Sequence, residues 1–184
     1  MKTKIKLLIF LSFVFAGTLT ASQKKWGAEV NVLWPIFPGN MYTGVVTYEA
    51  WRVDDWAGVP FLGVLYHPEH FREDEGNFSN LAATFGYRQF FWRGAHIELY
   101  SALGQGKLNN SVINGKNYKS TDFEVGLLAG YEWVFGSSED TIQPYISMHH
   151  GVYYVAAKSN AHPIRNSSGE VPVYVGRINI GFKF

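Results

Sequence analysis

Cysteine is absent from the 184 residues. A disulfide framework and a thiolate metal site are therefore excluded, and stability has to come from hydrogen bonding and packing. The same absence excludes a lipoprotein anchored through a lipidated cysteine. Charge of one sign is also missing, because 16 Lys and Arg stand against 15 Asp and Glu. Such a balance leaves no basic footprint for nucleic acid, and no nucleic-acid partner is expected. After the first 22 residues no apolar run approaches the about 20 residues of a transmembrane helix. If the rest of the chain crosses a membrane, it must do so as a closed barrel.

The first stretch, MKTKIKLLIFLSFVFAGTLTASQ, has a different character. Lys2, Lys4 and Lys6 form a positive start, residues 7–16 an apolar core, and residues 17–22 a small-residue exit. That order predicts a cleaved secretory signal peptide over residues 1–22, with cleavage after Ala21 or Ser22. Residues 23–184 are then a single domain. Losing the signal removes three of the 16 basic residues and none of the 15 acidic ones, so 13 face 15 and the net charge becomes −2.

What the chain does have is aromatic residues and alternation. It carries 14 Phe, 11 Tyr, 6 Trp and 19 Gly, a mixture suited to strands, tight turns and interfacial anchors. Residues 172–184, PVYVGRINIGFKF, place Tyr174, Gly176, Ile178, Ile180, Phe182 and Phe184 on one face. Arg177, Asn179 and Lys183 fall on the other, as the two-residue period of a strand requires. Similar runs are expected at residues 26–34, 41–51, 80–90, 95–103, 122–135 and 141–155. Residues 59–67 are apolar on both faces and read as a strand of unassigned orientation.

Eight strands follow, an even number, with a first short turn at residues 35–40. Short turns at residues 52–58, 91–94 and 136–140 are expected on one side. Longer polar loops at residues 68–79, 104–120 and 156–171 are expected on the other. Phe123 and Trp133 lie ten residues apart on one face. At about 3.3 Å per residue and a tilt near 40°, they span about 25 Å, the height of an outer-membrane apolar band. Trp51, Trp92, Trp133 and Phe184 would form one aromatic girdle, and Trp34, Tyr42, Phe123 and Tyr174 the other. The rival is a soluble lipocalin-like barrel, which also has eight strands but turns its apolar residues inward.

On these features residues 23–184 resemble the eight-stranded outer-membrane β-barrel superfamily, which includes the OmpA transmembrane domain, OmpX and OmpW. The terminal IGFKF is the most specific local feature; Asn179 stands where many members have glycine, and Gly181 follows two residues later. The resemblance implies an all-β fold, an eight-stranded antiparallel up-and-down transmembrane β-barrel, in the outer membrane. It implies outer-membrane lipids, lipopolysaccharide and the barrel-assembly machinery as partners, and no cofactor or metal. It leaves the surface ligand unspecified. The expected role is non-enzymatic, through exposed loops.

Two alternatives come with the superfamily. One is a small-solute pore of the OmpW kind. The other is an outer-leaflet hydrolase similar to the PagL-type lipid A deacylases, whose His-x-Ser-Asn motif is half met. Ser159-Asn160 is present, while Ala157 stands in the His position. In that reading His150 would be the base, Ser159 the nucleophile and Glu170 the group orienting the base.

The alternation places Glu29, Glu49, Arg88, Glu98, Glu124, Glu132 and Arg177 on the polar faces of their strands. An eight-stranded barrel is just wide enough for side chains to fill, so these are expected to pair in the interior. His150 is expected to face outward beside Met148 and Val152. His67, His70, His96 and His162 are expected to be solvated loop residues rather than metal ligands.

Overall fold

A computed structural model describes residues 25–36, 40–73, 75–158 and 172–184. The expected signal peptide (residues 1–22), together with Ser159, Asn160, His162 and Glu170, lies outside the described residues.

The described chain forms nine antiparallel strands: β1 Trp26–Asn31, β2 Tyr42–Tyr48, β3 Trp51–Val53, β4 Trp56–Arg72 and β5 Gly76–Trp92, then β6 Ala95–Asn109, β7 Tyr118–Val134, β8 Gln143–Lys158 and β9 Val173–Lys183. Neighbours run β2-β1-β9-β8-β7-β6-β5-β4, and β2 also pairs with β4. That last pairing closes an eight-stranded barrel and leaves the small strand β3 outside the ring, on β4. Closure gives the backbone groups of the ring a partner on each side. The seam is tied where Phe184 N donates to the Trp26 carbonyl at 2.9 Å.

Alternation decides the two faces. On β6, Ile97, Leu99 and Leu103 are exposed outside, while His96, Glu98, Tyr100 and Ala102 are buried inside. On β5, Leu81 and Phe85 are outside, and Ala82, Thr84, Arg88 and Phe90 inside. Register against these neighbours settles β4, where Leu62, Val64 and Tyr66 turn out and Phe61, Leu65 and His67 turn in. Exposed Trp26, Trp51, Trp56, Trp92 and Trp133 gather at the end that carries the tightest turn. There Arg93 (φ 41°) and Gly94 (φ 95°) join Trp92 to Ala95. Two consecutive positive φ values are the type I′ geometry that suits a hairpin's twist.

Four expectations need correcting. First, the stretch 68–79 is no long loop: β4 runs to Arg72 and β5 starts at Gly76, leaving residues 73–75 as the connection. Likewise 104–120 is mostly strand, with only 110–117 between β6 and β7. Beyond the apolar belt, polar residues take the outer face, so a greasy stripe no longer announces a strand there. Second, residues 41–51 are interrupted. From Thr47 to Trp51 the chain advances four residues while its partners Phe61 to Gly58 advance three. The one extra residue is a bulge that separates β2 from β3.

Third, Trp34 is not a girdle residue but is 8% exposed inside the barrel. β1 ends at Asn31, alternation ends with it, and the chain folds inward. Trp34 N donates to Asn31 Oδ1 at 2.7 Å and its indole donates to the Gly176 carbonyl at 2.7 Å. Trp34 belongs to a buried apolar cluster with Phe61, Leu65, Ala82, Tyr100, Ala102 and Leu128, a layer across the interior. Fourth, His67 and His96 are buried inside rather than solvated.

Candidate functional site

Beneath that apolar layer lies a charged one. Strand register builds it. β5 and β6 set Arg88 opposite Glu98, and β8 and β9 set His149 opposite Arg177. Across β6, β7 and β8, His96, Gly130 and His149 share one row. Glu29 reaches in from β1 on the far wall.

Arg88 ties the walls together. Its Nε donates to Glu98 Oε2 at 2.8 Å and its Nη1 to Glu29 Oε2 at 3.1 Å, while Nη2 bonds Glu29 Oε1. Arg177 Nη2 donates to Glu98 Oε1. Two carboxylates thus meet two guanidiniums, one pair in the bidentate fork geometry that makes such bonds strong. Tyr145 donates its hydroxyl to Glu29 Oε2 at 2.9 Å, and Asn179 Nδ2 donates to Glu29 Oε1 at 2.9 Å. Asn31 Nδ2 donates in turn to Asn179 Oδ1 at 3.0 Å. Arg88, Glu98 and Ser147 are all essentially inaccessible to water. Buried charges of this kind persist only when paired, and removing one partner typically costs about 3–5 kcal/mol.

Two histidines join the network. His149 Nδ1 lies 3.2 Å from Glu98 Oε2, and its Nε2 lies 3.0 Å from Ser147 Oγ. His96 Nε2 lies 3.4 Å from His149 Nδ1, and its Nδ1 bonds the Gly94 carbonyl at 3.0 Å. Gly130 permits the approach, since a Cβ there would stand 2.4 Å from His96 Nε2. Toward the tryptophan-rich end, Lys183 pairs with Glu132. A cavity of about 20 Å³ lined by Thr47, Glu49, Arg88, Glu132 and Lys183 has room for one water molecule.

The order Glu98–His149–Ser147 is that of an acid, a base and a hydroxyl. It is not a nucleophilic site, because Ser147 is 0% exposed and no substrate carbonyl can reach its oxygen. It acts as a chain of hydrogen bonds between two strands.

Of the charges expected inside, Glu29, Arg88, Glu98, Glu132 and Arg177 are buried there, and Glu49 and Glu124 are half-buried. His150 is exposed on the outer face, opposite Gly176 on β9 and Ala129 on β7. Ser159 and Glu170, its partners in the hydrolase reading, lie outside the described residues. The meeting of His96 with His149 escaped sequence reasoning. Parity places both inside, but only the register of three strands puts them in one row.

Comparisons with family models, with curated proteins and with solved structures returned no match.

Proposed function

We propose that the chain is an integral outer-membrane β-barrel protein, non-enzymatic, whose surface-exposed end serves contact or envelope stability. One observation carries the reading: an apolar belt surrounds the outside of the barrel while a layer of paired charges fills the inside. A water-soluble barrel needs the reverse, since apolar surface is driven out of water. Leu62, Val64, Leu81, Leu99, Leu103 and Leu127 are all half or more exposed. A continuous belt of that kind far exceeds the apolar patches tolerated on soluble monomers. Aromatic residues at the belt's tryptophan-rich end fit the interfacial girdle of such barrels. Outer-membrane lipids and lipopolysaccharide are then the partners of the belt. The interior favours this reading over a small-solute pore, because Arg88 and Glu29 bridge opposite walls and Trp34 packs above them.

The test is membrane fractionation of cells expressing the full chain, with heat-modifiable migration on gels as the sign of a folded barrel. Recovery in the outer-membrane fraction with a heat-dependent shift is expected. A soluble periplasmic protein would overturn the reading.

A second reading, a lipid A-modifying hydrolase, has one observation in its favour: His150 is ionisable and faces outward within the belt. Mass spectrometry of lipid A from cells with and without the protein separates the two. An acyl chain lost in the presence of the protein, and kept with His150→Ala, would establish the hydrolase.

A further inference from the structure

We propose that His96, Glu98 and His149 form a binding site for a borderline divalent transition-metal ion, Zn²⁺ being the type case, inside the barrel. The inference stands on side-chain geometry and does not depend on which membrane surrounds the chain.

Imidazole and carboxylate are the donors such ions take, and two histidines with one glutamate is a known ligand set for zinc. The three ligand atoms lie within 4.8 Å of one another. With bonds near 2.05 Å at the tetrahedral angle, neighbouring donors sit about 3.3–3.4 Å apart. The separation of His96 Nε2 from His149 Nδ1 is 3.4 Å, and that of His149 Nδ1 from Glu98 Oε2 is 3.2 Å. Ligating histidines characteristically give their second ring nitrogen to a carbonyl or another polar oxygen, which orients the ring and fixes the tautomer. His96 does so through Nδ1 to the Gly94 carbonyl, which leaves the lone pair of Nε2 directed at His149. His149 has the Ser147 hydroxyl at its Nε2. The far oxygen of Glu98 is held by Arg177. The ligands are therefore already oriented. Gly130, lacking a Cβ, leaves room for the His96 ring and its Nε2.

The proton balance also closes. Without metal, the His149 Nδ1 proton serves Glu98. With metal on Nδ1, that proton stays on the ring at Nε2, from which it is hydrogen-bonded to Ser147 Oγ, while the Ser147 hydroxyl donates to Glu29 Oε2, 3.4 Å away. Asn179 Nδ2, a donor 3.4 Å from His149 Nε2, gives up that contact and keeps its bond to Glu29. The competing term is charge. Glu29 and Glu98 already balance Arg88 and Arg177, so the ion enters a neutral network, and Arg88 Nε remains on the ligating oxygen. That makes the affinity moderate, and it makes the donor geometry decisive.

The experiment uses the full chain folded in detergent micelles, with folding checked by heat-modifiable migration. Zn²⁺ is titrated by calorimetry, and Co²⁺ is followed by its visible absorption. One equivalent is expected to bind and to raise the unfolding temperature. His96→Gln and His149→Gln are each expected to weaken binding by more than the about 10–100-fold that outer partners carry. His67→Gln and His70→Gln are expected to leave it unchanged. No binding by the wild type, or binding that survives in the His96→Gln/His149→Gln double variant, would overturn the site. X-ray absorption of the zinc-loaded wild type needs no variant to fold. Two imidazole nitrogens at about 2.0–2.1 Å support the site, and one or none overturns it.

Discussion

The same hairpins carry two opposite polarities along their length. In the part of β6 nearer the tight turn, the outer face is Ile97, Leu99 and Leu103 and the inner face His96 and Glu98. A few residues further on, Gln105 and Lys107 are outside and Leu108 is buried inside. β5 and β7 follow suit: Ser79, Lys119 and Thr121 face out beyond the belt, while Phe78 is buried within. One region is apolar outside and charged inside, and the next is polar outside and apolar inside. The β5–β6 and β6–β7 ladders run from one region into the next without a break. The ladders on either side shift register near the boundary, between His67 and His70 on β4 and between Phe123 and Glu124 on β7, so the switch in polarity coincides with irregular pairing there. On the membrane reading, the switch from Leu103 to Gln105 marks the upper edge of the bilayer.

The largest effect is expected in the charged interior of the belt. Glu98→Ala leaves Arg88 and Arg177 buried with their shared carboxylate gone. A loss of about 3–5 kcal/mol is expected. Urea unfolding of the barrel in lipid vesicles reads it, with Glu98→Gln losing less because an amide oxygen still accepts. A Glu98→Ala barrel as stable as the wild type would mean that the network does not hold the walls together. On the outside of the same region, Leu99, which is 59% exposed, is the next probe. Leu99→Arg at the middle of the belt is expected to cost about 2–4 kcal/mol in a bilayer. The same change would be nearly neutral if the belt faced water, so this variant tests the comparison from its other side.

The legibility of the chain follows the same division. Within the belt, the sequence revealed the strands, their faces and the inward charges, because a contrast between lipid-compatible and polar residues repeats every second position. Phe123 to Phe135 and Tyr174 to Phe182 carried that contrast clearly. In the extension the outer face turns polar, so residues 104–109 and 118–120 read as loop although they are paired strand. Trp34 was misread for a related reason. Alternation assigns a face only while the strand lasts, and β1 ends three residues earlier. The charged layer was legible as a set of inward residues, whereas its pairings were not. Whether His96 meets His149 depends on the register across β6, β7 and β8 and on Gly130 between them, and no single strand contains that information.

The extension has a core of its own, and it should behave as one. Leu108 is 1% exposed. Leu108→Ala is expected to cost about 2 kcal/mol, the low end for a buried leucine, because the hairpin tip can settle into the space. Urea unfolding measures it, and proteolysis of intact cells localises it: faster cleavage confined to residues 104–120 is expected, with the belt protected.

The smallest expected effect fixes the boundary most finely. Gln105 and Leu103 are adjacent on the outer face of β6, paired with Thr121 and Phe123 of β7. Gln105→Arg places a charge among groups already in water, and a change within about ±0.5 kcal/mol is expected, as at ordinary surface sites. Leu103→Arg places the same charge at the edge of the apolar belt, where the cost should reach about 1 kcal/mol. Both are read by reversible unfolding in vesicles. Repeating the pair in bilayers with thicker hydrocarbon cores should raise the cost at Leu103 first, and at Gln105 only when the acyl chains overtake it. If the two positions respond alike at every thickness, the polarity switch between them follows side-chain packing rather than the limit of the membrane.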